Sequence, residues 1–325
     1  MQGELQIEQK EPSLEKLSTS CNSLKIGLAV SKKFNKSHRE RDSQFFRLRS
    51  KAKLASLLFT SQDKLKRLAS ESGLYFDFPK PKASGGFREI SAPRPDLKSV
   101  QARIADLLQR LAPPDFLFAP VAGRSYVDNA YVHLGAPSIH LLDIEDFFPS
   151  CTANKAIWFF HKRMQCSPDV AAILKGIVTH NNALPQGSPC SPILAYLCYI
   201  DMWEEIACLV EDAGCSLSVY ADDLTISGAV VPEAVVWEIK KTLQRHGHHY
   251  KVAKERSKFR KPAEVTGVIL TPEGLRVPNR QHQKIHAVRK ELLTARSPVR
   301  RLKLQTQLRG RQAQMQQITS QNKHF

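Results

Sequence analysis

Two aspartates stand side by side inside a run that otherwise favours a β-strand. Residues 216–228 read SLSVYADDLTISG, and Asp222 and Asp223 interrupt their β-branched and apolar pattern. Acidic side chains are depleted in strands, and neighbours on a regular strand point to opposite faces. Both carboxylates reach one place only if the chain turns there, so the stretch is predicted to be strand, turn, strand. Like charges at such a tip are costly unless cations neutralise them. A second acidic strand end lies upstream, where the apolar run SIHLLDI (residues 138–144) contains Asp143 and leads into Glu145 and Asp146. Asp143, Asp222 and Asp223 together would form a cage of oxygen ligands, which suits Mg²⁺. Two such ions about 4 Å apart can activate an attacking 3′-hydroxyl and stabilise a leaving pyrophosphate. An isolated Asp-Asp pair would more simply be a solvated turn. The order of the remaining motifs decides against that reading.

Leu184-Pro185-Gln186-Gly187-Ser188-Pro189 lies between the two acidic sites, and residues 247–254, ending in Lys254, lie beyond them. Asp143 with Phe147-Phe148, then Leu-Pro-Gln-Gly, then Tyr220-Ala221-Asp222-Asp223, then the Lys254 segment, resemble the palm motifs of a reverse transcriptase in their family order. Asn129-Ala130-Tyr131-Val132-His133 upstream and Val265-Thr266-Gly267 downstream resemble two short blocks of bacterial retron reverse transcriptases. The resemblance covers residues 75–270.

The resemblance implies an α+β right-hand polymerase with fingers, palm and thumb. It makes Asp143, Asp222 and Asp223 the catalytic residues and the metal ligands, for two Mg²⁺ with Mn²⁺ as a substitute. The backbone at Asp146 and Phe147 would lie along the triphosphate. Phe148 would be an aromatic gate that clashes with a ribose 2′-hydroxyl. Gln186, Gly187 and Tyr220 would pack around nucleotide and template, glycine allowing close backbone approach. Arg88 and Lys82, on a predicted hairpin, would meet the triphosphate, a role the guanidinium fork suits. Lys254 would give a proton to pyrophosphate. Asn129, His133, Val265, Thr266 and Gly267 would lie on the RNA, His133 alternatively making a structural hydrogen bond. His246, His248 and His249 lack a cysteine or further partner at ligand spacing and do not read as a zinc site.

Charge divides the 325-residue chain. Residues 54–239 are net −6 and residues 240–325 net +17, equal to the excess of the whole chain. A basic block of this kind points to a polyanion. Ile285, Val288, Leu292 and Leu293 give one apolar helical face, and Arg300, Arg301, Lys303, Arg309 and Arg311 extend the positive surface. This reads as a thumb gripping a duplex by its phosphates, without base stacking. The expected divisions are an arm over 1–44, fingers and palm over 45–270, and a basic helical thumb over 271–325. Within them, helices are predicted over 45–72 with a break near Thr60-Ser61, over 95–111, 152–164, 168–180, 190–212 and 232–246, and on either side of Ser297-Pro298. Hairpins are predicted over 75–91 and 264–277.

A hydrophobic content of 42% excludes wholesale disorder. No apolar run approaches the ~20 residues of a membrane span, and the first residues lack a secretory h-region. Seven singly placed cysteines suggest reduced thiols, hence a cytoplasm, which the retron resemblance implies is bacterial. The retron resemblance implies dNTP substrates, a cognate noncoding RNA, a branched RNA–DNA product (msDNA) primed from a guanosine 2′-hydroxyl, and a separate effector protein in anti-phage defence. It leaves the oligomeric state open. The alternatives are a group II intron-like or other bacterial reverse transcriptase, and a non-catalytic RNA-binding module on the same fold.

Overall fold

Serine hydroxyls start the first two helices of the computed structural model, which describes residues 38–82 and 85–322. Ser50 accepts from the Lys53 N–H to open α1 (Lys51–Leu57), and Ser61 accepts from the Lys64 N–H to open α2 (Gln62–Ser70). Each hydroxyl satisfies an N–H that helix geometry leaves without a partner. The expected break at Thr60-Ser61 is therefore a cap. The arm expected over 1–44 lies, up to residue 37, outside the described residues.

Gly73, at φ +73°, turns the chain into β1 (Tyr75–Pro81), which pairs antiparallel with β2 (Phe87–Pro93). Pro95 then occupies the first turn of α3 (Pro95–Leu108), where its missing N–H costs nothing. The palm region follows as β3 (Leu117–Ala119), α4 (Tyr126–Tyr131), β4 (Ser138–Asp143), α5 (Phe147–Ser150) and α6 (Ala153–Ile157), which continues as a π-helical turn over Trp158–Arg163. Next come α7 (Pro168–Val178), α8 (Ser191–Leu197), α9 (Ile200–Asp212), β5 (Ser216–Tyr220), β6 (Asp223–Gly228), α10 (Glu233–Arg245) and β7 (Arg256–Phe259).

Five strands form one sheet in the order β3-β5-β6-β4-β7, antiparallel except where β3 meets β5. Leu142, Val219, Leu224 and Ile226 of this sheet share a core with Trp203, Phe159, Phe160 and Ile104 from the helices. Burying a side chain of that size stabilises by roughly 1.5–3 kcal/mol, so this apolar layer fixes where the strand ends point.

The single helix expected over 190–212 is two. The chain breaks at Cys198-Tyr199, where Tyr199 leaves helical geometry at φ −124°, ψ 26°. The Tyr199 hydroxyl donates to the Ser150 carbonyl (3.0 Å) and accepts from the Thr152 N–H (3.2 Å). These are tertiary bonds to a segment about fifty residues away, and they leave no trace in local periodicity.

The region expected to be one hairpin is a three-stranded sheet of β8 (Ala263–Val265), β9 (Val268–Thr271) and β10 (Gly274–Arg276). The boundary expected at 270/271 falls inside β9. Helices α11 (Asn279–Thr294) and α12 (Pro298–Gln321) follow, with Pro298 at the start of α12 as the sequence suggested. Ser297 sits at the cap position but its hydroxyl makes no capping bond. Ile318 of α12 joins Val127, Ala130, Val265, Val268 and Leu275 in a second core. Just past α12, the Asn322 side chain accepts from the Leu275 N–H (2.8 Å) and donates to the Leu275 carbonyl (2.9 Å), along the outer strand β10. Among the described residues no helix is long and apolar enough to cross a membrane. The six described cysteines are free thiols.

Candidate active site

The β5–β6 turn holds two residues, Ala221 and Asp222, between the paired Tyr220 and Asp223. Ala221 takes φ +58°, a left-handed conformation that costs a non-glycine residue about 1–2 kcal/mol. The tight turn brings Asp222 to the place where Asp143 ends β4. Asp143 pairs in register with Asp223, and the Ile144 N–H donates to the Asp222 carbonyl (2.9 Å).

Electrostatics at this point are under tension. Asp143 is 5% exposed, and its Oδ1 is buried without a hydrogen-bond partner. Asp223 is raised above the usual carboxylate range by burial, then by the charges of Asp222 and Asp143 and a hydrogen bond with Asp143. Burial also raises Asp222, with Asp143 adding to it. Lys254 donates to Asp143 Oδ2, and Lys251 Nζ lies 3.6 Å from Oδ1. Burial pulls Lys254 down, but its bond to Asp143 and the charges of all three aspartates outweigh this and raise it.

Among the described residues no group of three or more His, Cys, Asp or Glu side chains stands in a finished metal-binding arrangement. Lys254 occupies Asp143 instead. The donor set nevertheless suits a hard cation: one buried and two half-buried carboxylates crowded together, one oxygen orphaned, and two ammonium groups compensating.

Around this centre the structure brings several expected residues together. Asp146, at φ +41°, leads into α5, and Lys82 Nζ lies 3.9 Å from its Oδ1. The Ser91 N–H donates to the Gln186 carbonyl (2.9 Å), which ties β2 to the Gln186-Gly187 block. Gly187 sits at φ +140°, and a Cβ there would stand 2.8 Å from the Ser91 carbonyl oxygen. Its Cα–H face is what lets the two backbones meet. Gly187→Ala is therefore expected to lower stability by at least about 1 kcal/mol. Thermal melts check this, and an unchanged melt refutes the close-approach argument.

Arg88 is exposed on β2 opposite Lys80, and Tyr220 is half-buried. Phe147 is turned into the core, with its ring 6.3 Å from Trp203, so only its backbone remains for a substrate. Phe148 is half-buried beside it.

The two short blocks Asn129–His133 and Val265–Gly267 form one joint, a second site distinct from the carboxylates. Thr266 (φ +45°) and Gly267 (φ +84°) make the two-residue turn between β8 and β9, where both positions need positive φ. A β-branched residue there is unfavourable. Thr266 is held by donating to the Tyr126 carbonyl (2.9 Å) and accepting from Asn129 Nδ2 (3.3 Å). His133 bridges Ser227 Oγ and Ser218 Oγ, each at 2.7 Å, and so pins the loop after α4 to the back of the central sheet. Asn129 and His133 are 1% exposed and Val265 is fully buried. The expected RNA contact is thereby corrected for these three side chains. They are bonded or packed inside the protein, and only Thr266 and Gly267 keep some surface.

Arg300 and Arg301 are exposed at the start of α12, away from this joint, and Arg300 is paired with Glu291. Lys251 escaped the sequence reading, although its place three residues before Lys254 puts both on one side of a short turn. Ser150 and His248, which brace α5, carry no local signal because 98 residues separate them.

A strand end and a two-residue hairpin presenting crowded carboxylates beside a basic fingers-like hairpin define a nucleotidyl-transfer palm. Residues 78–270 match the family model described as reverse transcriptase (RNA-dependent DNA polymerase), and the chain belongs to that family. The curated relatives it is similar to are retron reverse transcriptases of bacteria. It is 34% identical over 141 residues to the Retron Se72 reverse transcriptase of Salmonella heidelberg, covering 43% of this chain and 37% of that protein. It is 30% identical over 216 residues to the Retron Ec86 reverse transcriptase of Escherichia coli, covering 62% and 63%. With the Retron Mx162 reverse transcriptase of Myxococcus xanthus it shares 31% over 220 residues, covering 60% and 45%. The matched region thus spans less than two thirds of each of these relatives. Reverse transcriptases as a family use divalent metals.

Proposed function

We propose that the chain is an RNA-directed DNA polymerase of retron type. It copies part of a cognate structured noncoding RNA into msDNA from a guanosine 2′-hydroxyl, with dNTPs as substrates. The observation that carries the polymerase reading is the meeting of Asp143, Asp222 and Asp223 at one strand end beside Lys254. Asp143 and Asp222 would hold Mg²⁺, with Asp223 a partial ligand. The bound ions supply charge neutralisation for the phosphates and activation of the attacking hydroxyl.

The chain's own side chains do the rest. Arg88 and Lys82 bind the triphosphate. Phe148 excludes a 2′-hydroxyl, and Gln186 and Gly187 seat the base pair. Lys254, which donates to Asp143 in this structure, would be the residue placed to protonate pyrophosphate. Thr266 and Gly267 supply the RNA-facing edge of the joint described above. Helices α11 and α12 form the thumb, and a separate effector would complete a defence system.

Extraction of nucleic acid from cells carrying the native locus tests the retron reading. A short DNA joined 2′–5′ to RNA is expected, and its absence sinks it. For the thumb, Arg301→Ala is expected to reduce the slope of log K against log salt by about one in RNA-binding titrations. Arg300→Ala should reduce it by less, because Glu291 already offsets that charge. Slopes unchanged in both variants would put the grip elsewhere.

A further inference from the structure

His248 is buried beneath α5 and takes no part in the chemistry described above. Its Nδ1 lies 2.8 Å from Ser150 Oγ, and the Ser150 hydroxyl donates to the Phe147 carbonyl (2.9 Å). A serine hydroxyl has one hydrogen. Spent on Phe147, it leaves the oxygen only as an acceptor, so His248 must donate from Nδ1. The other ring nitrogen, Nε2, is then a bare lone pair, and it is buried with no partner. Burial, followed by the nearby His246, Lys155 and His249, keeps the ring neutral, with its pKa pushed down to about 4.

The ring is also wedged between aromatic neighbours. Its centroid lies 4.3 Å from that of Tyr199 and 5.6 Å from that of Phe147. Tyr199 grips the same segment through the Ser150 carbonyl and the Thr152 N–H. A four-residue helix is too short to hold its own geometry. Its two ends are instead fixed by this chain of bonds, and Phe148 stands in the middle of it, its ring 5.8 Å from that of Phe147. An orphaned buried nitrogen is a standing cost, which an apolar ring of similar size would remove. The hydrogen bond the ring does make is the one from Nδ1 to Ser150.

We infer that His248 is a positioning residue for sugar selection: through Ser150 it fixes the α5 turn so that Phe148 stands where a 2′-hydroxyl would lie. The inference rests on the reading of Phe148 as the gate. Loss of the donor lets the turn drift, and a gate displaced by a fraction of its width admits ribonucleotides. The effect falls on the choice between sugars more than on either rate alone.

The test measures kcat/KM for dGTP and for GTP on a poly(rC)–oligo(dG) primer–template with Mg²⁺, for the wild-type chain and four variants. Phe148→Ala reports on the gate itself. His248→Phe keeps the stacked ring and removes the donor, His248→Asn keeps a donor near the Nδ1 position, and Ser150→Ala removes the acceptor. Discrimination against GTP is expected to fall about tenfold in His248→Phe and Ser150→Ala, and to recover in His248→Asn. If Phe148→Ala relaxes discrimination while His248→Phe and Ser150→Ala do not, the positioning role is refuted and the gate stands. If Phe148→Ala itself leaves discrimination unchanged, the gate reading falls and takes the inference with it. Equal losses for dGTP and GTP in the His248 variants mark a merely structural residue and also refute it. Should His248→Phe fail to fold, Ser150→Ala carries the same comparison.

Discussion

Primer extension by an Asp222→Asn chain is expected to fall at least about a thousandfold, because the amide removes a charge on which several kcal/mol of transition-state stabilisation depend. The same change removes one source of repulsion among the crowded carboxylates, since Asp222 is among the charges that raise Asp223. Stability should therefore hold or rise while activity disappears. That divergence separates a functional carboxylate from a structural one, whose loss would lower both. Chelation of divalent ions should abolish extension by the wild-type chain, and Mg²⁺ should restore it. Extension that survives Asp222→Asn refutes the catalytic role of that carboxylate, and extension that persists in excess chelator refutes the metal requirement.

The second large effect concerns stability. His133→Ala is expected to cost on the order of 3 kcal/mol, because it opens a cavity and strips two buried hydroxyls of their shared partner. Burial pushes His133 down to about 3, against an ordinary value near 6.5. The unfolded chain takes up a proton on this ring below about pH 6.5, whereas the folded chain does so only near pH 3. The stability supplied by the neutral ring is thus complete above pH 6.5 and is lost as pH falls towards 3. Between pH 8 and 5 this amounts to about 2 kcal/mol. Denaturant unfolding at the two pH values should show a drop in the wild-type chain that is smaller by that amount in His133→Ala. RNA affinity measured well below the melting temperature should not change. A variant that melts like wild type but binds RNA more weakly would restore the RNA-contact reading of His133.

Much of the fold could be read from residues close together in the chain. The caps at Ser50 and Ser61, the Pro95 and Pro298 helix starts, and the strand-turn-strand around Asp222 all follow from local rules. What escaped depends on partners far apart. The break at Tyr199 answers to Ser150 and Thr152, and the third strand β8 answers to β9 rather than to its own three residues. The same limit governed the site. Motif order pointed to the aspartates, but no spacing rule reveals that Lys251 leans on Asp143 or that Asn129 donates to Thr266 across 137 residues. Asn129, His133 and Val265 were expected to face RNA because the family resemblance implied it. Their burial shows how residues that mark a family can be those that join its parts.

The Asn322 amide has a consequence for how copies of the chain meet. One side chain presents a carbonyl and an NH₂ in the spacing of a peptide unit, and both are spent on Leu275 at the rim of the small sheet. The hydrogen-bonding sites that a strand from a neighbouring molecule would seek there are already taken. A single amide thus acts as a chain stopper against edge-to-edge growth at this rim.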